Sequence, residues 1–305
     1  MGDYIVHRAV ELSAISKSAL AKITENEWII SPKYDGCHAI FLFDGGNFIG
    51  ALSRTGERVR SMDHIGRSLL DLYPIGSGRT AICGEAWMIG EEFNVISGTF
   101  RRHEPQPQLQ FVPFDIVPFD YGAGHVYLGQ LDGKPYPTPY AARLGVLNDL
   151  RADIPSQVLR PRWYFVRGTL EQAMQGASAY ALEHKQRTDS FFDGAILAQY
   201  HGRYQVGSGK GGEFIKCKPL LSYSVKVGAV IADVGAKTGK HTCVLCFDLD
   251  GHVQKVSTGL TQEQANSFVE NPNLILDQII EVEAMGKTVN GFLREPRFKG
   301  IRIDA

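Results

Sequence analysis

Ser31-Pro32-Lys33-Tyr34-Asp35-Gly36 follows the apolar run Trp28-Ile29-Ile30 and precedes an alternating segment, Cys37 to Phe43, that reads as a strand. A lysine at a strand edge has two uses. It can be a solvated charge at a turn, which is the common case. It can also be a nucleophilic amine, which needs burial, nearby charge and a partner to lose its proton. At neutral pH an ordinary lysine is deprotonated less than about one part in a thousand, so freeing the amine costs about 4 to 5 kcal/mol unless the site lowers that cost. These six residues leave both uses open, and the rest of the chain has to choose between them.

Downstream, Ala39 to Phe43 and Phe48 to Leu52 form a hairpin pattern around Asp44-Gly45-Gly46. Ser53-Arg54-Thr55-Gly56 follows; its arginine suits a phosphate or ribose contact, or equally an exposed turn. A helical pattern from Met62 to Leu72 leads to a strand at Thr80 to Met88 carrying Gly84-Glu85. A carboxylate in such an apolar run is costly unless paired or bound to metal, which singles out Glu85. Phe93 to Arg102 reads as a short helix ending in two arginines, and Phe111 to Phe119 as a strand containing Phe114-Asp115.

Residues 120 to 190 read as scaffold: a Gly/Pro-rich loop, a helix with Leu144, Leu147 and Leu150, a strand at Val158 to Val166 and a helix at Leu170 to His184. Asp193-Gly194 then opens a second apolar strand. After a glycine-rich turn with Lys210 comes Lys216-Cys217-Lys218-Pro219, whose alternation puts both lysines on one side with room for an anion between them. Upstream, Leu12, Ile15, Leu20 and Ile23 predict a helical lead-in over residues 1 to 26.

Past Leu221 the pattern changes to short strands at Val225–Ile231, Thr242–Asp248, Val253–Ser257 and Ile279–Ala284, with one helix at Thr261–Val269. This is the make-up of a small Greek-key barrel of OB type. The expected fold class is therefore α+β, with antiparallel sheets over residues 1–221 and an OB-fold β-barrel over 222–305. The chain closes on its most basic stretch, Arg294 to Asp304.

Composition sets milder bounds. The 305 residues are 44% hydrophobic and 21% charged, which fits a soluble chain of two domains. No apolar stretch approaches the roughly 18 residues that span a bilayer, and Met1 to Leu20 lacks the layout of a secretory signal. Five cysteines argue against a disulfide framework and for a reducing cytoplasm. Cys243 and Cys246 form a lone CxxC inside a strand pattern, a poor zinc site. With a net charge of −1, any nucleic acid has to be held by a local basic surface.

Taken together and in order, Lys33-Tyr34-Asp35-Gly36, Ser53-Arg54-Thr55-Gly56, Gly84-Glu85, Phe114-Asp115-Ile116, Asp193-Gly194 and Lys216-Cys217-Lys218-Pro219 resemble the motifs of covalent nucleotidyltransferases. Within that superfamily the chain is similar to the small bacteriophage-type ATP-dependent DNA ligases, from about residue 28 to its end. The resemblance implies an adenylylation domain joined to an OB domain, ATP and Mg2+ as cofactors, and nicked double-stranded DNA as partner. It implies repair or replication of DNA in the cytoplasm of a bacterial or phage-infected cell, by a monomer needing no membrane and no obligate protein partner.

The same resemblance assigns roles. Lys33 attacks the α-phosphorus of ATP, with Ser31 beside it. Lys216 and Lys218 supply positive charge at that phosphate and disfavour the ammonium form of Lys33, while Asp35 opposes them and serves later, near metal or nick. Glu85 and Asp193 hold magnesium or ribose hydroxyls, Arg54 binds ribose or the nick phosphate, and Phe114 stacks on adenine. Arg294, with Arg297 and Lys299, orients the leaving pyrophosphate; apart from the resemblance, a near-neutral chain has to hold DNA by a few local cations, and Lys237 and Lys240 in a Gly-rich loop are expected to be among them. Two departures stand out: Asp193 replaces the usual glutamate, and Ala198 replaces a lysine of many relatives. No zinc finger, helix-hairpin-helix or further DNA-binding domain fits this length, which disfavours an NAD-dependent ligase. The competing readings are an RNA ligase, an mRNA capping guanylyltransferase, and a nick-binding module with a dead pocket.

Overall fold

The computed structural model describes residues 5–24, 26–73, 75–122, 124–149, 153–185, 192–207, 209, 211–234, 241–288 and 290–302. Lys210, Lys237 and Lys240 lie outside the described residues. The chain divides into two compact units, Met1–Lys218 and Pro219–Ala305.

Among the described residues, two large antiparallel sheets and a two-stranded one, Gln130–Leu131 with Lys134–Pro135, belong to the first unit. The larger is built from β2 (Cys37–Asp44), β3 (Asn47–Ser53), β4 (Thr80–Trp87), β5 (Gln110–Gly122) and β6 (His125–Leu128), in the order β3-β2-β4-β5-β6. The smaller has the order β9-β8-β1-β7, formed by β1 (Glu27–Tyr34), β7 (Tyr164–Arg167), β8 (Phe192–Gln199) and β9 (Phe214–Cys217).

The alternation of β1 divides its side chains between two cores. Ile29 packs into the cluster of Phe41, Phe43 and Phe111, where helix α1 (Asp63–Leu72) adds Ile65 and Leu69. Trp28 and Ile30 face the other way, onto Ala173, Ala177 and Ala181 of helix α4 (Leu170–Lys185). Those alanines recur every four residues, so they form one stripe of the helix, and their small size lets it lie close to the strand. Helices α2 (Phe93–Phe100) and α3 (Tyr140–Asn148) complete the unit. Arg143 of α3 is buried against Asp115 of β5, Nε to Oδ1 at 2.7 Å and Nη2 to Oδ2 at 3.1 Å, and also donates to the carbonyls of Thr138 and Gly202.

Strands of the second unit run β10 (Leu221–Val234), β11 (His241–Leu249), β12 (His252–Val256), β13 (Ile279–Ala284) and β14 (Arg297–Ile301). Helix α5 (Gln262–Glu270) stands between β12 and β13, and the sheet order is β12-β11-β10-β13-β14. This is the strand order of an OB-type Greek key. The helix opens on a capping box in which Thr261 Oγ1 accepts from the Gln264 N–H and Gln264 Oε1 from the Thr261 N–H. Cys243 and Cys246 are buried strand residues and all five cysteines are free. Among the described residues no group of three His, Cys, Asp or Glu could hold a metal ion, and no helix is long and apolar enough to cross a membrane.

Two local expectations are corrected, and a fifth strand joins the four expected in the second unit. Among the described residues, the lead-in is helical only at Leu12–Ala14 and Lys17–Leu20. Before that the chain runs extended, bridging His7 to Gly207 and Val10 to Ile215, because these sheet edges offer its backbone partners that an isolated helix lacks. The strand expected at Val158–Val166 shrinks to Tyr164–Arg167, since Pro161 interrupts it. The basic tail is itself a strand, whose Phe298 is buried in the core of the second unit.

Candidate active site

Two irregularities in strand pairing build the site. Between β1 and β8 the register passes from Lys33↔Gly194 to Tyr34↔Phe192, so Asp193 is the extra residue of a bulge. Between β4 and β5 it passes from Cys83↔Asp115 to Gly84↔Pro113, which leaves Phe114 as the extra residue. A bulge bends its strand and re-aims the side chain it carries. Glycine makes the first one possible: Gly194 has φ +135°, and a Cβ there would sit 2.2 Å from the Cys217 carbonyl oxygen. Gly36 is equally constrained, because its Cβ would lie 2.2 Å from the Ala86 oxygen and 2.9 Å from Glu85 Cγ.

Lys33 Nζ is 2.6 Å from Asp193 Oδ2, and Lys218 Nζ is 3.2 Å from the same oxygen. Asp193 Oδ1 is buried and has no hydrogen-bond partner. Burial alone would depress the pKa of Lys33, but Asp193, then Glu85 and Asp35, outweigh it and hold the amine above the ordinary lysine value. Burial likewise opposes ionisation of Asp193, yet Lys33 and then Lys218 keep its carboxyl below the usual range. The expectation that Lys216 and Lys218 push Lys33 toward its free amine is therefore corrected for this state. Lys218 is matched by Asp193 and Lys216 lies 3.6 Å from Glu11, so much of their positive field is cancelled locally.

Glu85 stands opposite His38 in the β2–β4 register. Burial pushes its carboxyl up to about 7, against Lys33 and the Gly36 N–H, which favour the charged form. His38 places its ring edge-on to Phe114 at 5.2 Å between centroids. Burial, then the charge of Arg54, pushes its imidazole down to about 4. Phe114 is held from behind by Tyr140, whose hydroxyl donates to the Phe114 carbonyl at 3.1 Å.

These side chains border two adjoining spaces. A cavity of about 170 Å³ is lined by Ser31, Lys33, Phe114, Ile196 and Phe214, among others. A wider polar groove of about 740 Å³ is lined by Asp35, Arg54, Arg101, Arg102, Lys216 and Lys218. Lys33, His38 and Glu85 border both. The first space suits a flat apolar group held against an aromatic ring, the second a chain of phosphates. Of the residues singled out in the sequence, Ser31, Lys33, Asp35, Arg54, Glu85, Phe114, Asp193, Lys216 and Lys218 all fall in this one region of the first unit. Arg294 belongs to the second unit, where its N–H donates to the Gly286 carbonyl at 2.8 Å. Sequence reasoning passed over His7, His38 and Phe214, and noted the Arg101-Arg102 pair without giving it a role.

No family model and no curated protein matches the sequence, but solved structures match the fold. The structure described as Pmar-Lig_Pre is similar with a TM-score of 0.68 at 17% identity, over 99% of this chain and 68% of that one. A structure from a study of Lig E DNA ligases, concerned with DNA binding by a minimal scaffold, has a TM-score of 0.60 at 17% identity, over 97% and 99% of the two chains. The chain has the fold of the DNA ligases. The ATP-dependent DNA ligase of bacteriophage T7, in complex with ATP, is similar at a TM-score of 0.50 and 19% identity, over 97% and 98%. The ligase fold thus extends over nearly the whole chain, covering the sheets that carry Lys33 as well as the OB-type unit.

Proposed function

We propose that this chain is an ATP-dependent DNA ligase that seals nicks in duplex DNA through a lysyl-AMP intermediate. The observation that carries the reading is Lys33: its amine sits at the junction of an aromatic-lined cavity and a cationic groove, in contact with a carboxylate that a bulge has turned toward it.

In this reading adenine occupies the cavity against Phe114 and the phosphates extend into the groove. The Lys33 nitrogen, having released a proton to solvent, attacks the α-phosphorus; a P–N bond forms, the bond to the bridging oxygen breaks, and pyrophosphate leaves. The 5′-phosphate at a nick then attacks the same phosphorus and takes AMP from Lys33, which recovers its proton. Finally the 3′-hydroxyl attacks the 5′-phosphorus, AMP leaves, and a phosphodiester bond closes the nick. Each step is a displacement at phosphorus, so catalysis is mainly positioning and charge neutralisation. The Lys33–Asp193 ion pair must open before the first step. Polyphosphate in the groove does this by competing with Asp193 for the Lys33 ammonium, beside Lys216 and Lys218.

The residues present suit a magnesium ion. Asp193 carries a buried, unpartnered Oδ1, and Glu85 is a buried carboxyl poised near neutrality. Magnesium is typically held by one or two carboxylates together with substrate phosphates, not by an all-protein cage. Asp193 and Glu85 would hold it, and it would supply charge neutralisation at the phosphates. We further propose that the enzyme works as a monomer in a reducing cytoplasm, consistent with its five free cysteines. The test is joining of a nicked duplex by the purified protein with ATP and magnesium; a protein that binds the duplex but never joins it contradicts the reading.

A further inference from the structure

β7 (Tyr164–Arg167) is the edge strand of the four-stranded sheet and pairs with β1. Tyr164 and Val166 pack on the core that α4 covers, so by alternation Phe165 and Arg167 share the opposite face, with Trp163 in line before them. Trp163 is 39% exposed and Phe165 43%. Tyr200 braces the Phe165 ring edge-on, at 5.5 Å between centroids. Arg167 pairs with Glu27 and lays its guanidinium over the same ring, 5.8 Å from its centre. From Ile154 to Leu170 the chain holds three arginines, Arg160, Arg162 and Arg167, and no aspartate or glutamate. All three are exposed, and Arg160 and Arg162 make no ion pair among the described residues. Glu27 takes up the charge of Arg167, so the remaining positive charge is that of Arg160 and Arg162, next to Trp163 in the chain.

We infer that this strip seats an unpaired nucleic-acid strand, two successive bases lying on Trp163 and Phe165 and the phosphates beside them meeting Arg160 and Arg162. Binding of single strands without sequence preference combines local positive charge with aromatic rings on which bases stack. The spacing favours an unpaired strand over a duplex. Trp163 and Phe165 stand two strand residues apart, about 6.6 Å, roughly twice the 3.4 Å step between bases along one strand of a duplex. Bases lying on both rings have therefore left the duplex stack. Trp163 and Arg162 also border the cavity that holds Phe114, so the strip begins at the rim of that cavity and runs away from it along β7. The inference goes beyond the ligase reading and does not rest on it, since a protein that takes no label from ATP can still bind a strand here.

The experiment is a fluorescence titration of the full-length protein with short oligo(dT), with oligo(U) and with a duplex of the same length. Of the three tryptophans, Trp28 and Trp87 are buried, so quenching reports on Trp163. Both single strands carry the required chemistry and at least one should quench; the tighter of the two names the source. Phe165→Ala, checked for folding by thermal melting, should weaken binding roughly tenfold, the worth of one stacked base, and Phe165→Tyr should bind like the wild type. The double variant Arg160→Ala, Arg162→Ala should reduce the slope of log affinity against log salt by about 1.4, the share of two phosphate contacts on a single strand. Absence of quenching by either strand overturns the inference, as does a folded Phe165→Ala protein with wild-type affinity. Equal quenching by the duplex also overturns it and assigns the binding to phosphate contacts alone. Quenching that excess AMP abolishes places an end base in the cavity and overturns the strip. An acidic, tyrosine-containing peptide that quenches where neither strand does overturns it in favour of a protein partner.

Discussion

Lys33 and Asp193 meet at 2.6 Å because a bulge in β8 turns Asp193 out of register toward β1. The nucleophile of the proposed reaction is therefore stored as an ammonium ion, latched by a carboxylate that it must leave before it can act. Storage of this kind keeps a buried amine from reacting with chance electrophiles while the site is empty.

Replacing the latch tests this. Asp193→Asn removes the leading contribution that raises the Lys33 pKa, so the amine should titrate at lower pH. Acylation of Lys33 by an amine-reactive ester, mapped by peptide mass, should be faster in the variant at pH 8, while adenylylation by ATP is slower. An unchanged acylation rate would mean that the ion pair does not control the amine.

Glu85 predicts a pH signature in stability. Its folded pKa, pushed up to about 7, exceeds its unfolded value of 4.5, so the native state binds more protons between those limits. Stability from this group is present below pH 4.5 and is lost as pH rises toward 7. Glu85→Gln removes the penalty. The variant should be more stable than wild type at pH 8, by on the order of 3 kcal/mol, with the difference closing near pH 5. Urea denaturation at the two pH values checks it; a constant difference contradicts the assignment.

The buried Arg143–Asp115 pair is scaffold that steadies the strand bearing Phe114. Arg143→Ala leaves a buried carboxylate without its partner and should cost about 3 to 5 kcal/mol in a urea melt. The double variant Arg143→Met, Asp115→Leu should cost less than the single one, because no charge is left stranded. A loss below about 1 kcal/mol for Arg143→Ala would mark the pair as dispensable, at the level of an exposed ion pair.

Much of this was legible in the sequence, because alternation in β2, β4 and β5 and glycines beside carboxylates are local signals. Glu85 could be chosen on those signals alone, whereas Lys33 and Phe114 stood out only when the motifs were taken together in order. The Lys33–Asp193 contact could not be read in either way, because it depends on a one-residue slip in pairing, and a slip leaves no periodic trace. Arg143 lies in a stretch that reads as an ordinary helix, and its partner is 28 positions away in sequence. His7 sat in a segment expected to be helical; the β-branched Ile5, Val6 and Val10 around it were the missed signal. The last strand was hidden by its charges, although Phe298 sits between Arg297 and Lys299, and Ile301 and Ile303 flank Arg302.

That strand also changes how the basic tail has to be tested. Deleting residues from Gly291 onward would remove Leu293 and Phe298 from the core of the second unit, so loss of activity would report unfolding. Arg294→Ala is cleaner. If Arg294 neutralises departing pyrophosphate, the variant should label itself with ATP at least roughly tenfold more slowly, yet seal a pre-adenylylated nick at close to the wild-type rate. Equal losses in both assays would assign Arg294 to DNA binding or folding instead.

The most direct test of the account is Lys33→Ala, carried through two assays on the same preparation. With ATP and magnesium, intact-mass measurement should find one AMP on the wild type, mapping to Lys33, and none on the variant, which should leave an ordinary nick open. Supplied with nicked DNA that already carries AMP on its 5′-phosphate, the variant should still join the strands, since the nucleophile of that step is the 3′-hydroxyl. An AMP adduct on the variant at another lysine, or on the wild type anywhere but Lys33, would contradict the account.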